Sequence, residues 1–186
     1  MTWIEGVAAL FGFLCVWLTI KQNILCWPTG LVQVFLYIFV FYGAKLYADM
    51  ILHIIYVGLS IYGWVHWRTG AKSALPVTHA ERLWVWIFVL GGLSLVWGYS
   101  LTTYTDASVP YYDSFIVAGS LIAQWLMARK KLESWLFWIV ADVVAIIIYA
   151  YKSLYLTSAL YTAFLIMAVL GYLAWQKSQR ERVVVA

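Results

Sequence analysis

Charged residues punctuate this chain into seven apolar stretches, at about residues 3–20, 25–43, 48–67, 83–102, 112–128, 134–151 and 155–175. A helix needs roughly 17 to 25 such residues to cross a bilayer, so the pattern predicts an all-α integral membrane protein with seven transmembrane helices. Most connections are short and leave no room for a soluble domain. Arg68 to Leu83, with Gly70, Pro76 and scattered charge, reads as the one longer loop. The first stretch has no basic segment before it and no small-residue cleavage site after it, so it is expected to be a retained span rather than a signal peptide.

The apolar pattern repeats. Residues 3–67 align with residues 111–175 without a gap, at a constant offset of 108 positions. Trp17 meets Trp125, Trp27 meets Trp135, Leu46 and Tyr47 meet Leu154 and Tyr155, and Gly63 and Trp67 meet Gly171 and Trp175. Glu5 falls on Asp113 and Lys21 on Arg129. Apolar coincidences are cheap in such a chain, but Trp, Gly and charge at one offset are not. Three spans per unit with one span between them put both units in the membrane the same way up, a 3+1+3 parallel repeat. The expected organisation is a first three-helix unit at 1–68, a loop and linker helix at 69–110, a second unit at 111–176 and a basic tail at 177–186. Parallel repeats of this kind are a transporter architecture, with substrate held near mid-membrane where the halves meet. A duplication kept for packing alone is the plainer alternative.

Composition agrees with the pattern: 65% of the 186 residues are hydrophobic and 11% charged, against about 25% charged in soluble domains. The formal charge of +4 would suit nucleic acid if it formed one patch, but it does not. Lys21, Arg68, Lys72, Arg82, Arg129, Lys130, Lys131, Lys177, Arg180 and Arg182 fall on one side of the predicted topology, spread over separate segments, with Lys45 and Lys152 on the other. Basic residues in short loops stay in the cytoplasm, so the N-terminus is expected outside and the C-terminus inside, with the bilayer and not nucleic acid as the partner. Cys15 and Cys26 lie in or beside apolar runs with no metal-like spacing, and read as packing residues.

Candidate chemistry centres on Trp135 to Tyr151, where Asp142 stands near the middle of an apolar span. An ionised carboxylate there costs about 2.5 to 3.5 kcal/mol on insertion scales, which calls for a cavity, a partner or a cationic solute. Helical spacing puts Trp138, Ala145 and Tyr149 on its side, an acid among rings that suits a cation. An acid bonded inside the bundle for packing specificity is the other reading. Gln33, His53 and Gln124 are further mid-span polar groups, and Gln33 falls under the repeat on Ala141, beside Asp142. Each Gln alone reads as interhelical glue; with Asp142 they form a candidate binding floor. Tyr37, Trp138 and Tyr149 lie too deep for an interfacial belt, whereas Trp64 and Trp67 could serve either a belt or the site.

The segments NILCWPTG (Asn23–Gly30), KLYAD (Lys45–Asp49), GWVHW (Gly63–Trp67), Asp113-Ser114, ARKKLESWLFW (Ala128–Trp138) and YKSLY (Tyr151–Tyr155) together resemble the PnuC family of vitamin transporters. The resemblance spans nearly the whole chain. It implies a seven-helix fold of SWEET-like architecture, facilitated diffusion of nicotinamide riboside across the bacterial inner membrane without a cofactor or a metal, and a homotrimer. Other members of the family carry thiamine, and a riboflavin branch exists. Nicotinamide riboside carriers would have Asn, Gln and Asn where this chain has Gln33, His53 and Asp142, so the substrate stays open between these vitamins. Of the rival classes, an intramembrane enzyme finds no HExxH or other tight metal spacing among His53, His66 and His79, and no nucleophile with an evident base. A retinal-type receptor needs a lysine in the seventh span, and none lies between Tyr155 and Trp175. There is no nucleotide-binding motif for an energised pump.

Overall fold

The computed structural model describes residues 3–43, 45, 47–69, 75–104 and 109–185, and for residues 5, 47–49 and 182–185 the backbone alone. Leu46, Gly70 and Lys72, named above, lie outside the described residues, as do the side chains of Glu5, Tyr47, Asp49 and Arg182. Among the described residues seven helices form: α1 (Trp3–Ile20), α2 (Cys26–Gly43), α3 (Tyr47–Thr69), α4 (Leu83–Tyr104), α5 (Pro110–Ala128), α6 (Ser134–Tyr151) and α7 (Tyr155–Val185). They follow the expected spans closely, with one difference. α7 continues well past Trp175 because QKSQRER contains good helix formers and no Gly or Pro to stop it, and Lys177 reaches Glu181 one turn on at 3.9 Å.

The repeat is written into the backbone as well as the side chains. α1 ends with Gln22 in the left-handed region (φ 53°) and α5 with its counterpart Lys130 (φ 52°); Lys45 and Ser153, also counterparts, both have φ 59°. Non-glycine residues rarely adopt this conformation. Here each closes a helix. Asn23 N–H donates to Leu18 O and Gln22 N–H to Thr19 O, while Lys131 N–H donates to Leu126 O and Lys130 N–H to Met127 O, all at 2.9 Å. These are the two bonds of a Schellman cap, which satisfies carbonyls left over at a helix C-terminus.

Helices pack as a closed ring: α1 on α2, α2 on α3, α3 on α5, α5 on α6, α6 on α7 and α7 back on α1, with α4 against α5 alone. Each three-helix unit forms one arc, and the units meet at two equivalent seams, α3–α5 and α7–α1. Among the described residues five helices are long and apolar enough to cross a membrane, namely α2, α3, α4, α6 and α7. α1 and α5 lie between such neighbours in the same ring and cross with them. The outer surface is accordingly apolar, with Trp84, Ile87, Phe88, Leu95 and Val96 exposed on α4.

One end of the ring gathers Lys21, Arg68, Arg82, Arg129, Lys130 and Lys131, and the larger cluster of buried apolar side chains lies there. Ile20, Cys26, Trp27, Trp67, Met127, Leu132, Trp135 and Trp175 are buried there together with Val77 from the loop before α4. Among the described residues that loop is hydrogen-bonded to the α5–α6 turn of the second unit. Thr78 N–H donates to Lys130 O at 3.1 Å and Leu132 N–H to Thr78 O at 2.9 Å. The Glu133 carboxylate accepts from Ala80 N–H at 2.6 Å and pairs with His79 Nδ1 at 2.7 Å. Hydrogen bonds to an ionised acceptor are worth about 1.5–3 kcal/mol. Glu133→Ala should therefore raise hydrogen exchange at the Ala80 amide by about tenfold or more while leaving α6 amides unchanged; an unaltered Ala80 rate would show that the strap is held elsewhere.

Candidate functional site

Asp142 lies in the ring interior, 5% exposed, on α6, the most enclosed of the five long apolar helices. Among the described residues no hydrogen bond and no ion pair reaches its carboxylate. Ala145, one turn on, is fully buried and adds no polar group. Tyr149, a further turn on, stacks on Tyr161 of α7 with ring centroids 5.2 Å apart. The Tyr161 hydroxyl stands within electrostatic reach of Tyr149, of Asp142 and, across the ring, of Tyr56 on α3.

The first unit carries the matching arrangement. Phe41 and His53 are the repeat counterparts of Tyr149 and Tyr161, and their rings lie 4.8 Å apart. Tyr37 and Tyr56 each approach His53 at 5.7 Å. The Tyr56 hydroxyl shares a hydrogen bond of 2.6 Å with the Ser120 hydroxyl of α5, which ties the α3–α5 seam. At the equivalent α7–α1 seam the contact is apolar: Phe164 stacks on Phe13 at 4.8 Å. The interior is thus chemically lopsided: an acid and two phenols on the second unit face an imidazole on the first, and a bonded hydroxyl pair spans one seam where stacked rings span the other.

Asp142, Tyr149, His53 and Tyr37 of the expected site line this interior in two clusters. Gln33 does not join them: its amide lies across α1 at Gly12, where an added Cβ would come within 2.9 Å of Nε2. There it packs α2 against α1 over the gap that Gly12 leaves. Gln124 is half-buried on α5, one turn from Ser120 towards the basic end. Trp138 is half-buried between the two core clusters. Trp64 and Trp67 lie apart from these clusters, towards the basic end of α3. Trp64 is 37% exposed on α3, and Trp67 is 5% exposed, too buried for an interfacial belt and packed into the basic-end core, where its indole N–H donates to Ala128 O at 3.1 Å. Three residues not anticipated, Tyr56, Ser120 and Tyr161, belong to the interior instead. The offset of 108 that pairs His53 with Tyr161 was the signal available for the last of them.

Among the described residues no three His, Cys, Asp or Glu side chains gather as metal ligands. A groove of about 510 Å³ between α4, α5 and α6, lined by Gly91, Leu95, Tyr111 and Phe115 among others, lies outside the ring, away from Asp142. The groups gathered in the interior, a carboxylate beside stacked rings, are of the chemical kind that attracts a cation.

Known proteins share this architecture. The chain is similar to the nicotinamide riboside transporter PnuC of Escherichia coli (strain K12), 28% identical over 98% of this chain and 88% of the relative. The Neisseria mucosa protein of the same name is 31% identical over 95% of this chain and 73% of its own length. A crystal structure of the vitamin B3 transporter PnuC superposes with a TM-score of 0.75 at 29% identity, covering 97% of this chain and 83% of that one. With the nicotinamide mononucleotide transporter family matching residues 2–177, and the seven-helix fold held in common with a solved member, the chain belongs to that family of multi-pass membrane transporters.

Proposed function

We propose that this protein carries nicotinamide riboside across the bacterial inner membrane by facilitated diffusion, with Asp142 as the cation contact. The observation that carries the reading is a buried carboxylate with no hydrogen bond or ion pair, since an uncompensated buried charge is costly and a cationic solute removes that cost. Tyr149 and Tyr161 offer ring faces to a pyridinium, and His53, Tyr56 and Ser120 offer hydrogen bonds to ribose hydroxyls. Thiamine is the second reading, because it too is a flat cation with a hydroxyl. Riboflavin is uncharged and gains nothing from Asp142. The basic end lies in the cytoplasm, which puts the N-terminus outside.

Uptake into liposomes tests this. Nicotinamide riboside should equilibrate saturably and compete with thiamine better than with riboflavin, and a pH gradient should drive no accumulation beyond equilibrium. Protein that carries riboflavin and neither cation would sink the reading. In cells an N-terminal tag should be open to external protease; a protected tag would reverse the orientation.

A further inference from the structure

Four tryptophans close the basic end of the ring, two from each unit. They form a row, Trp27–Trp67–Trp175–Trp135, with ring centroids 5.4, 6.0 and 5.5 Å apart, and the outer two contacts meet edge to face. Trp27 and Trp135 are repeat counterparts, as are Trp67 and Trp175, so the row has an approximate two-fold axis at its middle. Across that axis each inner indole N–H donates to a backbone carbonyl of the opposite unit. Trp67 Nε1 donates to Ala128 O at the end of α5, 3.1 Å away, and Trp175 Nε1 donates to Thr19 O at the end of α1, 3.0 Å away. In both cases the third helix of one unit holds the last turn of the first helix of the other. Lys130 adds a third tie, its ammonium 4.5 Å from the Trp67 ring centroid and 3.4 Å from Gln22 Oε1 in the equivalent turn of the other unit.

For a solute to leave by this end the two units must part here, and these are the bonds that parting breaks. They are suited to it. A neutral hydrogen bond contributes modestly in net terms, because each partner regains water when the end opens. The indole N–H groups of Trp27 and Trp135 are buried and have no hydrogen-bond partner among the described residues, a penalty on the closed arrangement that hydration on opening relieves. Two bonds made and two donors stranded leave the end closed but not locked.

We propose that the reciprocal pair Trp67–Ala128 and Trp175–Thr19 is the releasable seal of the basic end, broken and remade in each transport cycle. The proposal rests on the chain being a transporter, not on which vitamin it carries. The protein contains two cysteines, Cys15 and Cys26, and Cys26 is buried in the same core as the tryptophans at 2% exposure. In a Cys15→Ser background it is a lone reporter. N-ethylmaleimide labelling of the purified protein should quicken about fivefold in Trp67→Phe and about fivefold in Trp175→Phe, each of which keeps a ring and loses one donor, and by the product of the two in the double variant. Unchanged rates in both single variants would overturn the seal. So would an equal acceleration in Trp84→Phe, an exposed residue of α4, since it would mean general loosening.

A second measurement does not depend on the tryptophans. Gln22→Cys and Lys130→Cys, in a background lacking Cys15 and Cys26, are bridged by a short bis-maleimide. Nicotinamide riboside uptake into liposomes should fall to the protein-free level on bridging. A bridged protein that still transports would overturn the seal, whereas an unbridged protein that labels as expected but carries no nicotinamide riboside would overturn the substrate reading and leave the seal standing.

Discussion

Asp142→Asn is expected to weaken binding of nicotinamide riboside by about 10- to 100-fold, the equivalent of losing one contact to an ionised group, because the Asn expected in other carriers goes with different residues at positions 33 and 53 than the Gln33 and His53 of this chain. The side chain is nearly isosteric, so packing in α6 is preserved and the loss reports charge. It also fixes a pH dependence. Only the ionised carboxylate attracts a cation, so affinity is full where Asp142 is deprotonated and declines as acidification protonates it. The Asn variant carries no titrating group at that point, and its affinity should be low and level across the same range. Titration of the purified protein by tryptophan quenching measures both. An Asn variant with wild-type affinity would remove Asp142 from the site, and one with low affinity but an unchanged acid limb would assign the titration to another group. Thiamine should behave the same way, whereas riboflavin binding should be insensitive to the substitution.

The helix boundaries and the duplication were legible because bilayer thickness imposes a length on each apolar run, and because Trp, Gly and charge recur at one offset. The left-handed caps at Gln22 and Lys130, and at Lys45 and Ser153, show that the same offset governs the turns. What the offset does not encode is which helices are neighbours. A repeat says that α3 and α7 are equivalent, but the ring closure that sets α3 on α5 and α7 on α1 depends on surfaces from distant parts of the chain. Trp67 is the clearest case. Its position near the end of a span suits an interfacial ring as well as a buried one, and only the Ala128 carbonyl and Trp175, contributed by α5 and α7, decide between them. Tyr161 was hidden for the same reason, since a tyrosine one or two turns into α7 resembles a membrane anchor until Tyr149 is found stacked on it. Asp142 was legible throughout, because a lone acid in a hydrocarbon-like run is conspicuous in any fold. Gln33 shows the limit of equal depth as an argument, since it shares the level of Asp142 and yet turns towards Gly12.

Gly63→Ala and Gly171→Ala are each expected to destabilise the protein by about 1–3 kcal/mol, the usual range for overpacking a filled core. A Cβ on Gly63 would be driven into three carbons of the Trp27 indole, and a Cβ on Gly171 into the same three of Trp135. Neither ring can swing aside freely: Trp27 is held edge-on by Trp67 and Trp135 by Trp175, and both are almost wholly buried. Thermal unfolding in detergent should show both variants melting below the wild type, and by similar amounts, because the two notches are repeat counterparts. Pairing the variants with smaller partners makes the mechanism specific. Trp27→Leu should recover part of the loss in Gly63→Ala and none in Gly171→Ala, and Trp135→Leu should do the reverse. If both alanine variants melt with the wild type, the tryptophans do not seat against these glycines. If either leucine rescues both sites equally, the effect is general softening of the core rather than relief at a particular contact.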